Sequence, residues 1–364
     1  MRGNRTYKLI DRAAGVPLLL AVSAARHLRA GRRGVADRKL APGDSVLVVK
    51  QSALGDTLLL LPVIKSIRDT IGPEGRIDMV VTPVNEAVAS RCPWLDEVHL
   101  FHPSSVLRDP RGLLRLIGRL RRRGYDQALD LDQWLRSSAL LAVMSGAMRV
   151  TGFRTPGQHR HFAYDRSVLQ AKGIHESLLF AELARLAGVD AGRIEPYAGF
   201  LKRHGIFAGP GSSAPEARKI ILFHPGCGSH GWQREWPVEK YARLGEMLVK
   251  STGADIEVTG HGPHERGLIE DLARAASFIP VDHGSDLTFD GLAARVSGAR
   301  LVVCGNTGVM HLATGLDVPV VAVHGPTDIT KWGPVYGLAE EGSVSGKAVA
   351  VKSPIECSPC LFLG

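Results

Sequence analysis

The chain has 364 residues, of which 45% are hydrophobic and 22% charged, an ordinary balance for a globular protein and a length that suits two cores. Its formal charge is +9, but residues 1–40 hold ten Lys/Arg against two Asp, so the leader carries +8 and the rest of the chain +1. A nearly neutral body argues against a general nucleic-acid binder, whose basic surface would sit on the fold itself.

Within residues 1–40, Ala13–Ala25 is an apolar run flanked by Arg12 on one side and by Arg26, Arg29, Arg32 and Arg33 on the other. It is shorter than the ~20 residues a spanning helix needs. No small-residue cleavage site stands out, which argues against a secretory signal. The pattern predicts a basic, membrane-associating segment on an anionic inner leaflet, with a helix packed on the domain as the plainer alternative.

Strand and helix patterns then alternate. Ser45–Lys50 reads as a buried strand and Asp56–Thr70 as a helix carrying Leu58, Leu61, Ile64 and Ile67. Arg76–Val81 and Glu97–Phe101 read as strands, Gly112–Arg123 as a helix and Tyr125–Leu131 as a strand. Helices near Leu135–Met144 and at His175–Ala187 close a first half, 41–200. Residues 201–218 are rich in Gly, Pro and Ser and read as a linker. A second half, 219–364, restarts with strands at Lys219–His224 and Asp255–Thr259, and helices at Val238–Ser251, His264–Ala276 and Leu292–Ser297. Strand Leu301–Cys304, a helix carrying His311 and strand Pro319–His324 follow. The alternation predicts an α/β protein with two parallel-sheet domains facing across a ligand cleft.

Five cysteines suit a reducing compartment. Cys357-Ser-Pro-Cys360 lacks a second pair for a structural zinc, so no metal site is expected there. The chain stops four residues later, which leaves the completeness of that end open.

Three joints carry candidate chemistry. After the first strand comes Lys50-Gln51-Ser52-Ala53-Leu54-Gly55-Asp56, where Gly55 permits close backbone approach. Asp56 reads either as a helix N-cap or as a carboxylate able to take a proton from a hydroxyl. The second half opens with His224-Pro225-Gly226-Cys227-Gly228-Ser229, then Trp232, Arg234 and Trp236. Arg234 reads either as a forked diphosphate contact or as a surface arginine between packing tryptophans. The turn around Gly260 faces the same edge and suits a nucleoside. Near the end, Gly305-Asn306-Thr307-Gly308 leads from a strand into the helix of His311, an arrangement that presents backbone N–H groups and a helix dipole to an anion. Separately, Arg108, Arg111, Arg115, Arg119 and Arg122 share one helix face, either solvated or facing a phosphorylated acceptor or lipid head groups.

The ordered motifs Lys-x-Ser-x-x-Gly-Asp, His-Pro-Gly…Trp…Arg-x-Trp-Pro and Asn-Thr-Gly-x-Met-His…Gly-Pro-Thr resemble family 9 of the glycosyltransferases, the ADP-heptose:lipopolysaccharide heptosyltransferases and their relatives. The likeness spans roughly residues 45–360. It implies a GT-B fold of two Rossmann-like domains and an inverting transfer that needs neither metal nor cofactor. By the same likeness Asp56 is the general base, Arg234 contacts the donor diphosphate, and Thr307, Gly308 and His311 form the donor-binding turn, beside which the loop reading sets Gly226, Gly260 and Asn306 on the donor side. Lys50, Ser52, Gly55, Arg111 and Arg115 fall on the acceptor side. The implied partners are a nucleotide sugar, a lipopolysaccharide-core or lipid-linked acceptor and an anionic membrane surface. The implied location is the inner face of the cytoplasmic membrane. Asn306 stands where the family often has Asp, and Arg234 where it has Lys, which leaves the donor sugar open. A relative using another nucleotide sugar is one alternative, an epimerase or hydrolase on the same fold another. A non-catalytic protein that holds a nucleotide sugar or glycolipid is the third.

Overall fold

The structure is a computed structural model that describes residues 11, 13, 15–30, 38–106, 108–207, 219–228, 231–282, 287–335, 344–352 and 358–360. The chain divides into two compact units, Met1–Lys172 with Glu176–Glu195, and Gly173–His175 with Pro196–Gly364.

The first unit is built on strands β1 (Ser45–Val49), β2 (Arg76–Val81), β3 (Glu97–Leu100), β4 (Gln127–Asp130), β5 (Arg149–Arg154) and β6 (Arg166–Leu169). All pair in parallel in the order β3-β2-β1-β4-β5-β6, the Rossmann order. β1 is central and covered on both faces, which is why it reads as an uninterrupted apolar run with Val46–Val49 fully buried. The helix after it runs Leu54–Ile71, tolerates Pro62 inside, and buries Leu58–Leu61, Ile64 and Ile67. β5 and β6 were not expected from the sequence. β5 lacks an apolar run because Gly152 interrupts it, and the glycine is required there: a Cβ would lie 2.5 Å from the Tyr164 ring.

The leader is tied into this unit. Helix Gly15–Ala30 places Leu19 in the same apolar cluster as Leu47, Val49 and Ala139, and buries Ser23. The Arg26 guanidinium pairs with the Asp165 carboxylate, both largely covered, and Arg136 pairs with Asp11 at 2.8 Å. For residues 15–30 the packed-helix alternative therefore holds. Residues 1–10 and 31–37 of the expected leader lie outside the described residues. No helix among the described residues is long and apolar enough to cross a membrane.

The second unit carries β7 (Ile220–His224), β8 (Asp255–Val258), β9 (Val281–Asp282), β10 (Leu301–Gly305), β11 (Val320–His324), β12 (Val344–Ser345) and β13 (Ala348–Lys352). Their order is β12-β13-β11-β10-β7-β8-β9, parallel except for the β12–β13 hairpin. Chain 196–207 belongs to this unit, ahead of the linker expected at 201. Helix Phe200–Arg203 buries Phe200 and Leu201, and the Gly199 N–H donates to the Thr314 carbonyl at 2.9 Å. Residues 208–218 of that linker lie outside the described residues.

If helix 15–30 is part of the core, Leu19→Ala should lower unfolding free energy in urea by about 2–4 kcal/mol, the usual cost of truncating a fully buried leucine. A loss within about 0.5 kcal/mol, the range of an ordinary surface substitution, would place Leu19 outside the core.

Candidate functional site

In the first unit, the chain leaves β1 at Val49 and turns through Lys50–Ala53 into helix Leu54–Ile71. Ala53 takes the cap position and makes no side-chain bond, so Asp56 is not the N-cap. It sits in the first turn instead, where the helix dipole favours a carboxylate. Asp56 is 5% exposed and Lys50 1% exposed, and the Lys50 Nζ donates to Asp56 Oδ2 at 3.1 Å. Lys50 therefore turns its charge inward to the carboxylate rather than outward to an acceptor. Its ammonium also lies 5.4 Å from the Phe180 ring centroid.

The turn is held by side chains far along the chain. Asp132, in the loop after β4, accepts from the Gln51 amide and, at 3.1 Å, from the Ser52 hydroxyl. Asn85 donates to the Lys50 carbonyl at 2.9 Å, and the Thr82 hydroxyl donates to the Gln51 carbonyl at 2.7 Å. Gly55 is buried in the helix and Ser52 is half-buried. Behind Asp132, the fully buried Asp130 carboxylate takes Arg160, the Tyr164 hydroxyl at 2.7 Å and the Ser138 hydroxyl at 3.1 Å.

Arg111 and Arg115 lie on helix Pro110–Arg123, which Asp109 caps by accepting from the Gly112 N–H at 2.8 Å. Arg115, Arg119 and Arg122 rim a pocket of about 600 Å³ whose apolar lining includes Phe101, Leu113 and Leu116. Arg115 pairs with Asp109 at 3.2 Å; Arg111 is exposed on the same helix and does not line the pocket. On the same unit Asp78, Glu97 and His99 approach one another closely enough to suggest a cation site. Arg76 and Arg123 already serve the two carboxylates, and Tyr125 donates to Asp78 at 2.7 Å, so the cluster is an ion-pair network.

In the second unit, four loops follow neighbouring strands β11, β10, β7 and β8 at their C-terminal ends. Arg234 stitches two of them together: Nη1 donates to the Asn306 carbonyl and Nη2 to the Cys227 carbonyl at 2.7 Å. It is not a surface arginine between packed tryptophans, because Trp232 is 67% exposed and Trp236 packs edge-on against Tyr241. Asn306 is buried and donates through Nδ2 to the Thr327 hydroxyl at 2.7 Å. Thr307 caps helix Gly308–Gly315 in extended conformation without a side-chain bond, and Thr307 and Gly308 are the half-exposed residues of the turn. His311 is buried, one turn in, and its carbonyl accepts from the Tyr197 hydroxyl at 2.9 Å.

Glu265, not anticipated from the sequence, organises the other two loops. Its buried carboxylate accepts from the Gly228 N–H at 2.8 Å and the His261 N–H at 2.6 Å. This explains Gly226 and Gly260, where an added Cβ would stand 2.2 Å and 2.9 Å from Glu265 atoms. An acidic residue in the first turn after a Gly-rich loop was the available signal.

Burial shifts the titration of three of the imidazoles that accompany these loops, His175, His224 and His324. Burial, reinforced by Arg234 and Lys352, drives His324 down to about 4, and burial does the same to His175. His224 is also lowered by burial, against the opposing pull of Glu265. For His175 and His324, with folded values below the ordinary 6.5, the stability they contribute is fully present above pH 6.5 and is lost as pH falls toward 4. The loss is on the order of 3 kcal/mol each for His175 and His324. Thermal unfolding between pH 7.5 and 4.5 should therefore show a steep fall that His324→Gln makes shallower. Equal slopes in both proteins would show that His324 titrates normally in the fold.

The protein-family profile described as glycosyltransferase family 9 (heptosyltransferase) matches residues 113–362. Lipopolysaccharide heptosyltransferase 1 of Escherichia coli O18:K1:H7 is 27% identical over 296 residues, covering 78% of this chain and 86% of that protein. The enzyme of the same name from Pseudomonas aeruginosa is 27% identical over 332 residues, covering 87% and 86%. Among solved structures, an E. coli heptosyltransferase with ADP superposes with a TM-score of 0.66 at 23% identity, covering 85% of this chain and 93% of that one. A family 9 glycosyltransferase from Veillonella parvula gives 0.69 at 20% identity, covering 87% and 88%. The likeness to these structures shows the fold: two Rossmann-like domains of the GT-B class.

Proposed function

We propose that this chain, which belongs to glycosyltransferase family 9, transfers a heptose from ADP-heptose to an acceptor of the lipopolysaccharide core. The observation that carries this reading is the buried Asp56–Lys50 pair at the C-terminal end of β1, at the motif position of a base. Asp56 takes the proton of an acceptor hydroxyl as that oxygen attacks the anomeric carbon. The bond from the anomeric carbon to the β-phosphate oxygen breaks, and its electron pair leaves with ADP. Attack from the face opposite the leaving group inverts the anomeric centre.

Charge developing on the diphosphate needs fixed donors. In this reading they are the backbone N–H groups of the Thr307–Gly308 turn at the N-terminus of helix Gly308–Gly315, and Arg234 adds its positive charge beside them while its Nη groups hold the Asn306 and Cys227 carbonyls. No metal or other cofactor is assigned a part. The relatives supply the sugar and the acceptor: their names are lipopolysaccharide heptosyltransferases, and one neighbour was solved with ADP-2-deoxy-2-fluoro heptose. With a lipid-bearing acceptor, the same reading has the enzyme work peripherally at the inner face of the cytoplasmic membrane. The Lys/Arg excess of residues 1–40 that remains after the Arg26–Asp165 and Arg38–Asp44 pairs, and the arginine-rimmed pocket of the first unit, both favour an anionic surface there.

Asp56→Asn should cut transfer from ADP-heptose by about 10³-fold or more and leave ADP affinity within about threefold. Parallel loss of both would reduce Asp56 to a structural residue. Arg234→Ala should weaken ADP about tenfold while adenosine changes less; isothermal titration of the two ligands checks it, and matched losses would remove Arg234 from diphosphate recognition. Turnover should persist in excess chelator, and its abolition with recovery on adding a divalent cation would show that the reaction needs a metal.

A further inference from the structure

Lys50 has two anions, and the reaction read above uses one of them. Its Nζ lies 3.1 Å from Asp56 Oδ2 and 3.8 Å from Asp132 Oδ1, in a site where Lys50 and Asp132 are each 1% exposed. When Asp56 takes up a proton it becomes neutral, and its pairing with Lys50 collapses to a neutral hydrogen bond. An ammonium that deeply buried, left without a counter-charge, would resist that step strongly. Asp132 stands close enough to receive it.

We propose that Asp132 is a positioning residue that holds Lys50 while Asp56 carries the acceptor proton, so that the lysine passes between two carboxylates during each turnover. The inference rests on the reading of Asp56 as the base. The geometry gives Asp132 a second task that fixes its place. By accepting from the Gln51 amide and the Ser52 hydroxyl, it is clamped to the same turn that carries Lys50. The shift required is therefore one of the Nζ over less than 1 Å in distance difference, with both carboxylates stationary.

The charged groups around the ammonium come from several elements. Asp56 faces it from helix Leu54–Ile71 and Asp132 from the loop after β4. Asp130 and its partner Arg160 stand behind Asp132, where Asp130 accepts from the Asp132 N–H at 3.1 Å. Helix Glu176–Ala187 contributes the uncharged Phe180 ring. Both carboxylates stand within 3.8 Å of one ammonium, so removing the charge of one changes the field at the other. With Asp132 neutralised, Lys50 belongs wholly to Asp56, whose ionised form is favoured and whose basicity falls.

The test is the pH dependence of transfer from ADP-heptose to a lipopolysaccharide-core acceptor by the full-length protein. Wild type should show an acidic limb that reports protonation of the base. Asp132→Asn should move that limb down by about one pH unit and lower the plateau about tenfold. ADP affinity and the thermal midpoint report that the variant is folded. If Asn does not fold, Asp132→Ser, which still offers an oxygen to the Gln51 amide, takes its place. Asp132→Glu, which restores the charge, should return the limb toward wild type. A limb that stays in place in the neutral variant, with the rate merely scaled at every pH, overturns the proposal and leaves Asp56 as base. A wild-type profile with no acidic limb at all removes the base reading itself.

Discussion

A strand in the middle of a parallel sheet has helices on both faces and no side open to water, so its polar chemistry is confined to its ends. Both units obey this constraint. β1 is apolar through Val49, and the first residue beyond it is a buried lysine. β10 is apolar to Cys304, and the polar turn begins two residues on. The candidate base and the loops around Arg234 and Glu265 lie just past C-terminal strand ends, because there successive loops from neighbouring strands meet without burying unpaired backbone.

Each unit uses the C-terminal edge of its own sheet in a different way. The first concentrates full charges in a nearly dry site: Lys50 with Asp56 and Asp132, then Asp130 with Arg160. Such clusters contribute little net stability but fix geometry, since each member is costly to leave alone. The second unit works mainly with backbone. Arg234 is satisfied by two carbonyl oxygens and Glu265 by two amides, so the side chains serve to shape loops whose remaining peptide groups can meet a ligand. Proton transfer needs the first kind of environment and anion binding the second.

Legibility in the sequence followed contact distance. The strand and helix pattern, and the motif ending in Asp56, could be read because each is local. Asp132 could not, because its approach to Ser52 arises from the pairing that sets Val49 beside Asp130, across some 80 positions of chain. The place of Glu265 in a first helix turn was readable but its partner was not, since β7 and β8 had to be neighbours before it could reach Gly228. β5 escaped because Tyr164 requires glycine in its middle, which broke the apolar run. The charge of the leader misled in part: Arg26 reads as a free cation in sequence, yet its charge is spent on Asp165 inside the fold.

Glu265 also ties together positions that look independent. Gly226 and Gly260 sit on different loops, and each is small because the same carboxylate side chain fills the space beside it. A larger residue at either glycine is tolerable only alongside a shorter one at 265, and that shorter residue in turn abandons two amides. The three positions form one heritable unit, in which single steps are blocked and compensated ones are open. Divergence of these loops of the second unit would then proceed by concerted replacement rather than by drift at separate sites.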